Sequence, residues 1–107
     1  MINFEDWQKL EVRIGTIKAV ERVSGADKLL RFEVDLGEEQ VRQVVAGLAE
    51  YFDDLEVLLD RQVPVITNLE SRIIRGLESQ GMILVADAES PILLSPDKPV
   101  LPGTRLG

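Results

Sequence analysis

The sequence has 107 residues, of which 45% are hydrophobic and 29% charged, which is enough for one folded domain with its own core. It contains neither cysteine nor histidine, and this excludes disulfides, most zinc sites and the usual serine and cysteine catalytic triads. A net charge of −7 argues against general binding of polyanions, because phosphate contacts come from lysine and arginine. The chain begins with acidic and aromatic residues, and no apolar run approaches the roughly 20 residues of a membrane span. We therefore expect a cytoplasmic, non-membrane protein without cofactor or metal.

The negative charge is unevenly distributed along the chain. Segment 50–60 has five acidic residues and no basic residue, which leaves −2 for the other 96 residues. Segment 61–86 has three basic and two acidic residues. We interpret segment 50–60 as a solvated face. Any nucleic-acid recognition must then depend on a small local set of donors and on shape.

Hydrophobic periodicity predicts mostly β-structure. Residues 3–9 are predicted to form a short amphipathic turn with Phe4 and Trp7 on one face. Residues 10–23 are predicted to form a long first strand, with a β-bulge at Gly15, where the apolar alternation shifts by one position. Residues 48–60 repeat apolar side chains every three or four positions and are predicted to form a short helix. The other strands are predicted at 30–36, 41–46, 63–67 and 82–86, with short pairing segments at 92–94 and 104–106.

Three strands with a bent first strand, then a helix, then two more strands is the order of an OB-fold. An SH3-like barrel would lack the helix between the third and fourth strands. We therefore predict one all-β domain over residues 1–107, a five-stranded Greek-key OB barrel with one short helix and a short C-terminal extension. Trp7 is expected to cover one end of the barrel, and the alternative is that it stacks on a nucleic-acid base.

The connection between the last two predicted strands is the candidate binding site. It is longer than most connections in compact domains and carries many hydrogen-bond donors. Arg72 and Arg75 are three residues apart, so a single helical turn or a tight loop could direct both the same way. The alternative is that these arginines only offset Glu70 and Glu78 on an ordinary surface.

The second and third strands of an OB barrel usually carry the oligonucleotide site. Lys28 lies in the turn before the second predicted strand, Arg31 on that strand and Arg42 on the third. Neither metal-binding spacing of carboxylates nor a glycine-rich phosphate loop is present. The sequence therefore predicts a binding surface rather than an enzyme.

Seven short motifs recur together in one known family. They are V-R-I-G-T-I (12–17), A-D-K-L (26–29), V-D-L-G (34–37), V-A-G-L (45–48), N-L (68–69), R-G-L-E-S-Q-G-M-I-L-V-A (75–86) and P-G-T-R (102–105). With these motifs in this order, the chain resembles the tRNA-binding domain family. Its members include C-terminal appendages of methionyl-tRNA synthetases, endothelial-monocyte-activating polypeptide-like cytokine precursors and stand-alone structure-specific tRNA-binding proteins.

The resemblance implies an OB-fold that binds tRNA by its shape, towards the outer corner of the L. It also implies a homodimer, paired in part through the C-terminal region, and a role beside methionyl-tRNA synthetase or another aminoacyl-tRNA synthetase in trans. By position, the residues matching the family's tRNA-contacting motif are Lys28, Asn68, Arg72 or Arg75, Ser79, Gln80 and Met82. Lysine and arginine would contact phosphates, the polar side chains 2′-hydroxyls or loop bases, and Met82 an exposed base or sugar. For Asn68 and Met82 alone, a turn residue and a core residue are the alternatives.

Two departures from the family pattern remove positive charge from this region. Ser24-Gly25 stands where many members have His-Pro, and N-L-E-S-R-I-I-R (68–75) stands where many have a more basic run. The tail also resembles that of export-chaperone-like OB homodimers, which bind peptides. A peptide-binding or dimerisation module is therefore the alternative function.

Overall fold

A computed structural model describes all 107 residues as a mostly β structure with one short helix. Five strands form an antiparallel sheet in the order β3-β2-β1-β4-β7, and two separate hairpins are formed by β5 with β6 and by β8 with β9. The elements are α1 (Phe4–Gln8), β1 (Val12–Val23), β2 (Ala26–Asp35), β3 (Arg42–Ala46), 3₁₀ turns at Ala49–Tyr51 and Leu55–Leu58, β4 (Gln62–Ile66), β5 (Arg72–Ile74), β6 (Leu77–Ser79), β7 (Met82–Ile83), β8 (Val85–Asp87) and β9 (Pro91–Leu93). The predicted all-β, OB-like fold is confirmed, although β3 and β7 do not pair and the barrel is not closed. No helix is long enough to span a membrane.

The core lies where the alternating sequence of β2 predicts it. Leu30, Phe32 and Val34 are completely buried, while the residues between them face outwards. Val63 and Val65 of β4 are also fully buried and belong to the same apolar cluster. Each such side chain contributes roughly 1.5–3 kcal/mol through burial. The strict period of two therefore fixes which face of β2 remains available at the surface.

The bulge in β1 lies at Lys18, not at Gly15 as predicted. Gly15 pairs in regular register with Val63 of β4, and the register against β2 shifts between Ile17 and Ala19 and again between Arg22 and Val23. A Cβ atom at Gly15 would overlap the side chain of Val34. Glycine is therefore needed at position 15 for close packing against β2, and the bulge falls at an exposed residue nearby.

The predicted helix over 48–60 is replaced by the two 3₁₀ turns. Phe52 is extended and ends the first turn, and the Asp54 side chain accepts a hydrogen bond from the Glu56 N–H at 3.0 Å to begin the second. Arg22 of β1 donates to the carbonyls of Ala49 and Phe52 at 3.1 and 2.6 Å. Carbonyls held by a side chain of the sheet are not free to continue a helix, so tertiary contacts override the helical spacing.

The chain after β4 differs most from the prediction. The predicted strand 82–86 is divided at Leu84 into β7 and β8, and β9 pairs with β8. The hairpin of β5 and β6 was not predicted. The C-terminal segment then returns to β1. Arg105 forms an isolated antiparallel β-bridge with Arg13, and the Leu106 N–H donates to the Val12 carbonyl at 2.9 Å. The C-terminal segment thereby completes one side of the first strand.

Candidate nucleic-acid interface

The β5–β6 hairpin presents Arg75 at its tip. Arg72 pairs with Ser79, and Ile74 pairs with Leu77, which leaves a two-residue turn of Arg75 and Gly76. Both turn residues have positive φ, 50° and 80°. This is the pattern of a type I′ turn, which normally has asparagine, aspartate or glycine at its first position. Arg72 and Arg75 are therefore placed by a hairpin with a tight turn, and not by the helical turn that was the other arrangement their spacing allowed.

Replacing Arg75 with asparagine is expected to stabilise the folded protein. An arginine in the left-handed region costs on the order of 1 kcal/mol, whereas asparagine accepts that region readily. We expect the Arg75→Asn variant to gain a few tenths to about 1 kcal/mol in free energy of unfolding, measured by urea denaturation. Arg75→Ala, which retains the strain, is the matched control and should gain nothing. A loss of stability in the asparagine variant would contradict the strained-turn assignment.

Ser79 and Gln80 join the hairpin to β3 across the gap between β3 and β7, which we call the seam. Ser79 is only 4% exposed, and its Oγ accepts from the Val45 N–H at 3.0 Å and donates to the Gly81 carbonyl at 3.1 Å. Gln80 accepts from the Gln43 N–H through Oε1 at 3.0 Å and donates its own N–H to the Gln43 carbonyl at 2.8 Å. Side chains thus satisfy the β3 backbone where no neighbouring strand does. Ser79 and Gln80, predicted as RNA contacts, both make structural hydrogen bonds.

Asn68 has a similar structural connection. Its Oδ1 accepts from the Glu11 N–H at 2.9 Å, and its Nδ2 donates to the Lys9 carbonyl at 2.6 Å. These bonds fix the segment between α1 and β1 to the end of β4. The residue is exposed, so its predicted role in RNA contact stays a prediction alongside this structural one.

Two grooves meet beside the hairpin. The first, which we call the apolar groove, has a volume of about 550 Å³ and lies between β3, the first 3₁₀ turn and the chain from β7 to β9. The second has a volume of about 440 Å³ and lies between the hairpin and segment 68–71. Arg72, Gly81 and Met82 line both grooves. Met82 is 41% exposed, so it belongs to a surface and not to the core.

The basic side chains near this surface fall into two classes. The side chains of Lys28, which lies on β2 and not in the turn predicted before it, and of Arg72 and Arg75 are exposed and make no hydrogen bond or ion pair within the chain. Arg31 instead binds Gln43, Glu21 and Glu33 on the outer face of the sheet at 2.7–3.3 Å. The first class keeps its donors available for a ligand, and Arg31 would have to exchange partners to bind one.

Arg42, like Arg31, has partners within the chain, and it fixes the connection between β2 and β3. Its Nε and Nη2 donate to the two carboxylate oxygens of Glu38 at 2.8 and 2.9 Å, and its Nη1 donates to the Gln80 carbonyl at 3.2 Å. This hydrogen bonding by Arg42 lowers the pKa of Glu38, against a smaller opposing effect of desolvation. Arg42 therefore links the connection before β3 to the seam.

The Glu38→Gln variant should lose stability at neutral pH. A carboxyl with a lowered pKa in the folded state stabilises that state above its unfolded pKa, and this contribution disappears as the pH falls through the lower folded value. Because the Glu38 side chain is 45% exposed, we expect only about 0.5 kcal/mol. Urea denaturation at pH 7 should show the difference, and it should vanish well below roughly pH 4, the usual glutamate range. Glu39→Gln, which removes an unpaired neighbour, is the control, and an equal effect of both variants would contradict the assignment.

Residues 12–105 match the family model described as "Putative tRNA binding domain". The chain is 48% identical over 106 residues to a methionine–tRNA ligase of Methanococcoides burtonii, and the match covers 97% of this chain but 15% of that relative. The chain therefore spans a small part of the length of the ligases it matches.

Two solved structures have the same fold over nearly their whole length. A MetRS related protein from Pyrococcus horikoshii has a TM-score of 0.91 and 27% identity, covering 100% of this chain and 98% of that chain. The chaperone CsaA from Bacillus anthracis has a TM-score of 0.88 and 28% identity, covering 100% and 99%. The family model, the ligase match and these structures agree, and the chain belongs to the tRNA-binding domain family.

Proposed function

We propose that this protein is a structure-specific tRNA-binding module without catalytic activity, which contacts the outer corner of tRNA in the cytoplasm. The observation that carries the proposal is the pair of unpaired, exposed cations on the hairpin, Arg72 and Arg75, to which β2 adds the exposed and unpaired Lys28. Five of the other basic residues are in ion pairs with acids. Two of the few unpaired cations of a chain whose net charge is −7 thus lie on the hairpin.

We further propose that the module assists a methionyl-tRNA synthetase in trans. The support is its 48% identity to part of a methionine–tRNA ligase. Shape and 2′-hydroxyl contacts allow a small polar surface to select folded RNA over DNA. The few unpaired cations would supply affinity, and the fixed hairpin geometry would supply orientation.

The test is a fluorescence anisotropy titration with bulk tRNA and a DNA hairpin of equal charge. We expect tRNA to bind with a roughly micromolar dissociation constant at about 50 mM salt, to weaken steeply as salt rises, and to outcompete the DNA. Absence of tRNA binding at this salt, or equal binding of the DNA hairpin, would overturn the proposal.

Peptide binding is the second candidate function. The observation favouring it is the apolar groove, whose lining includes Leu48, Ile74, Ile83 and Val85. CsaA, whose structure this chain resembles, is described as a chaperone. Peptide binding to such a groove should depend little on salt, whereas RNA binding should depend on it strongly. The same salt series therefore separates the two functions.

We also propose that the protein forms a homodimer through its C-terminal segment. Ile92, Leu94 and Leu101 are 51%, 43% and 82% exposed, and pairing with a second copy would remove this apolar area from water. Light scattering at tens of micromolar protein, a range chosen on the order of usual dimer affinities, should give twice the chain mass. The Leu101→Asp variant should give one chain mass, with Leu69→Asp on the connection between β4 and β5 as the control. One chain mass for the unmodified protein would contradict the dimer.

A further inference from the structure

We infer that the apolar groove receives one unpaired base of the bound RNA, stacked on Tyr51. The inference deepens the proposed function and rests on it. Tyr51 is the only tyrosine in the chain, is 50% exposed and lines this groove together with Arg72 and Met82. Sequence reasoning did not select it, because it lies among the acidic residues of segment 50–60.

The backbone around Tyr51 is fixed from both sides. The Tyr51 N–H donates to the Leu48 carbonyl at 3.1 Å, which closes the first 3₁₀ turn. Arg22 reaches from β1 to the carbonyls of Ala49 and Phe52, one on each side of Tyr51. A ring on a turn held in this way is presented with little loss of conformational entropy on binding. Arg22 is thus a positioning residue for the aromatic wall.

The other lining residues complete a site for a nucleotide. Met82 is 41% exposed and supplies a flexible, polarisable surface, while Arg72 supplies a guanidinium that has no partner within the chain. Asp87 also lines the groove and can accept a hydrogen bond from the exocyclic amino group of a base. The volume of about 550 Å³ is within the usual range for sites that enclose small ligands.

The Arg72 guanidinium, at the edge of an otherwise mostly apolar lining, favours a nucleotide over an apolar peptide in this groove. A peptide that filled only the apolar lining would leave the Arg72 guanidinium beside it without an anionic partner. A nucleotide places its base on the apolar walls and its phosphate within reach of a cation, and base stacking on an aromatic residue is the usual way proteins hold unpaired RNA bases. The occupant is therefore an unpaired base with its own phosphate.

The experiment compares an RNA stem–loop with a blunt RNA duplex that has the same number of phosphates. The full chain should bind the stem–loop about 5- to 100-fold more tightly, the range expected for stacking of one base. Tyr51→Leu, which keeps the groove apolar, should remove this preference, and Tyr51→Phe should retain it. The salt dependence should be the same for all three proteins, because the tyrosine carries no charge.

Each result has a definite consequence. Ultraviolet cross-linking of the unmodified protein should join a loop nucleotide to the peptide containing Tyr51, a result that does not depend on the folding of any variant. Equal affinity of the unmodified protein for stem–loop and duplex would overturn the base site, as would full retention of the preference in Tyr51→Leu. If tRNA still bound in either case, the proposed function would stand. Absence of all RNA binding would overturn both.

Discussion

A variant that carries both Arg72→Gln and Arg75→Asn is expected to bind tRNA about 100-fold more weakly at low salt, with no loss of stability. Both side chains are exposed and unpaired, so their substitution breaks no side-chain hydrogen bond or ion pair within the chain. We assign about tenfold to each phosphate contact, or about 1.4 kcal/mol. Loss of two phosphate contacts should also reduce the slope of log affinity against log salt by about 2.

A charge-matched control distinguishes local contact from general electrostatics. Lys18→Gln with Lys98→Gln removes the same two charges from the surface around Asp60 and Arg61, which no hairpin residue lines, and Lys18 makes only an exposed ion pair with Asp60. This control should bind tRNA within about threefold of the unmodified protein, the change expected from distant screened charges. If the two double variants bound equally weakly, the hairpin would not be the RNA surface.

Ser79→Ala is expected to reduce both stability and tRNA affinity, for one structural reason. The substitution leaves the N–H of buried Val45 without its acceptor, which costs about 2 kcal/mol and lowers Tm by about 10 °C. The hairpin would then be held less firmly against β3, and Arg72 and Arg75 would be less well placed. We expect tRNA affinity to fall about tenfold, as for a lost 1.4 kcal/mol. Hydrogen exchange at the Val45 amide should accelerate in the variant.

Ser71→Ala is the matched control for this experiment. Ser71 is exposed, lines the second groove and makes no hydrogen bond within the chain, so its removal deletes the same hydroxyl without opening the seam. Stability and Val45 exchange should remain unchanged in that variant. If Ser79→Ala weakened tRNA binding without any change in stability or in Val45 exchange, Ser79 would act as a direct RNA contact. The explanation that Ser79 acts by holding the hairpin against β3 would then be wrong.

The sequence predicts the fold well wherever a residue's burial follows directly from local alternation. Phe32 and its neighbours on β2 are an example, because a period of two leaves no doubt about which side faces the core. Segment 48–60 shows the limit of such reasoning. Its apolar spacing is helical, but Arg22, 27 residues earlier in the chain than Ala49, binds the carbonyls that a helix would need. No local pattern contains that contact.

The residues of the candidate site stay a prediction, and the structure adds what the sequence could not say about their bonding. The motif containing Ser79 and Gln80 directs attention to the hairpin, yet the residue types do not reveal whether a hydroxyl or an amide binds a ligand or the protein's own backbone. That distinction depends on β3, more than 30 residues away in sequence. The Arg75-Gly76 turn was missed because arginine is uncommon in type I′ turns, although the following glycine between two apolar pairs was an available signal.

The seam also bears on how this protein could aggregate. β3 is the last strand of the five-stranded sheet, and a terminal strand with free N–H groups readily accepts a strand from another molecule. In the folded chain, Ser79 and Gln80 occupy the N–H groups of Val45 and Gln43 and so prevent that intermolecular pairing. Protection against aggregation therefore depends on two polar side chains of the same segment that orients the RNA surface. A substitution that removes either side chain would leave an N–H group of β3 free to pair with a strand of another molecule, while the hydrophobic core would stay intact.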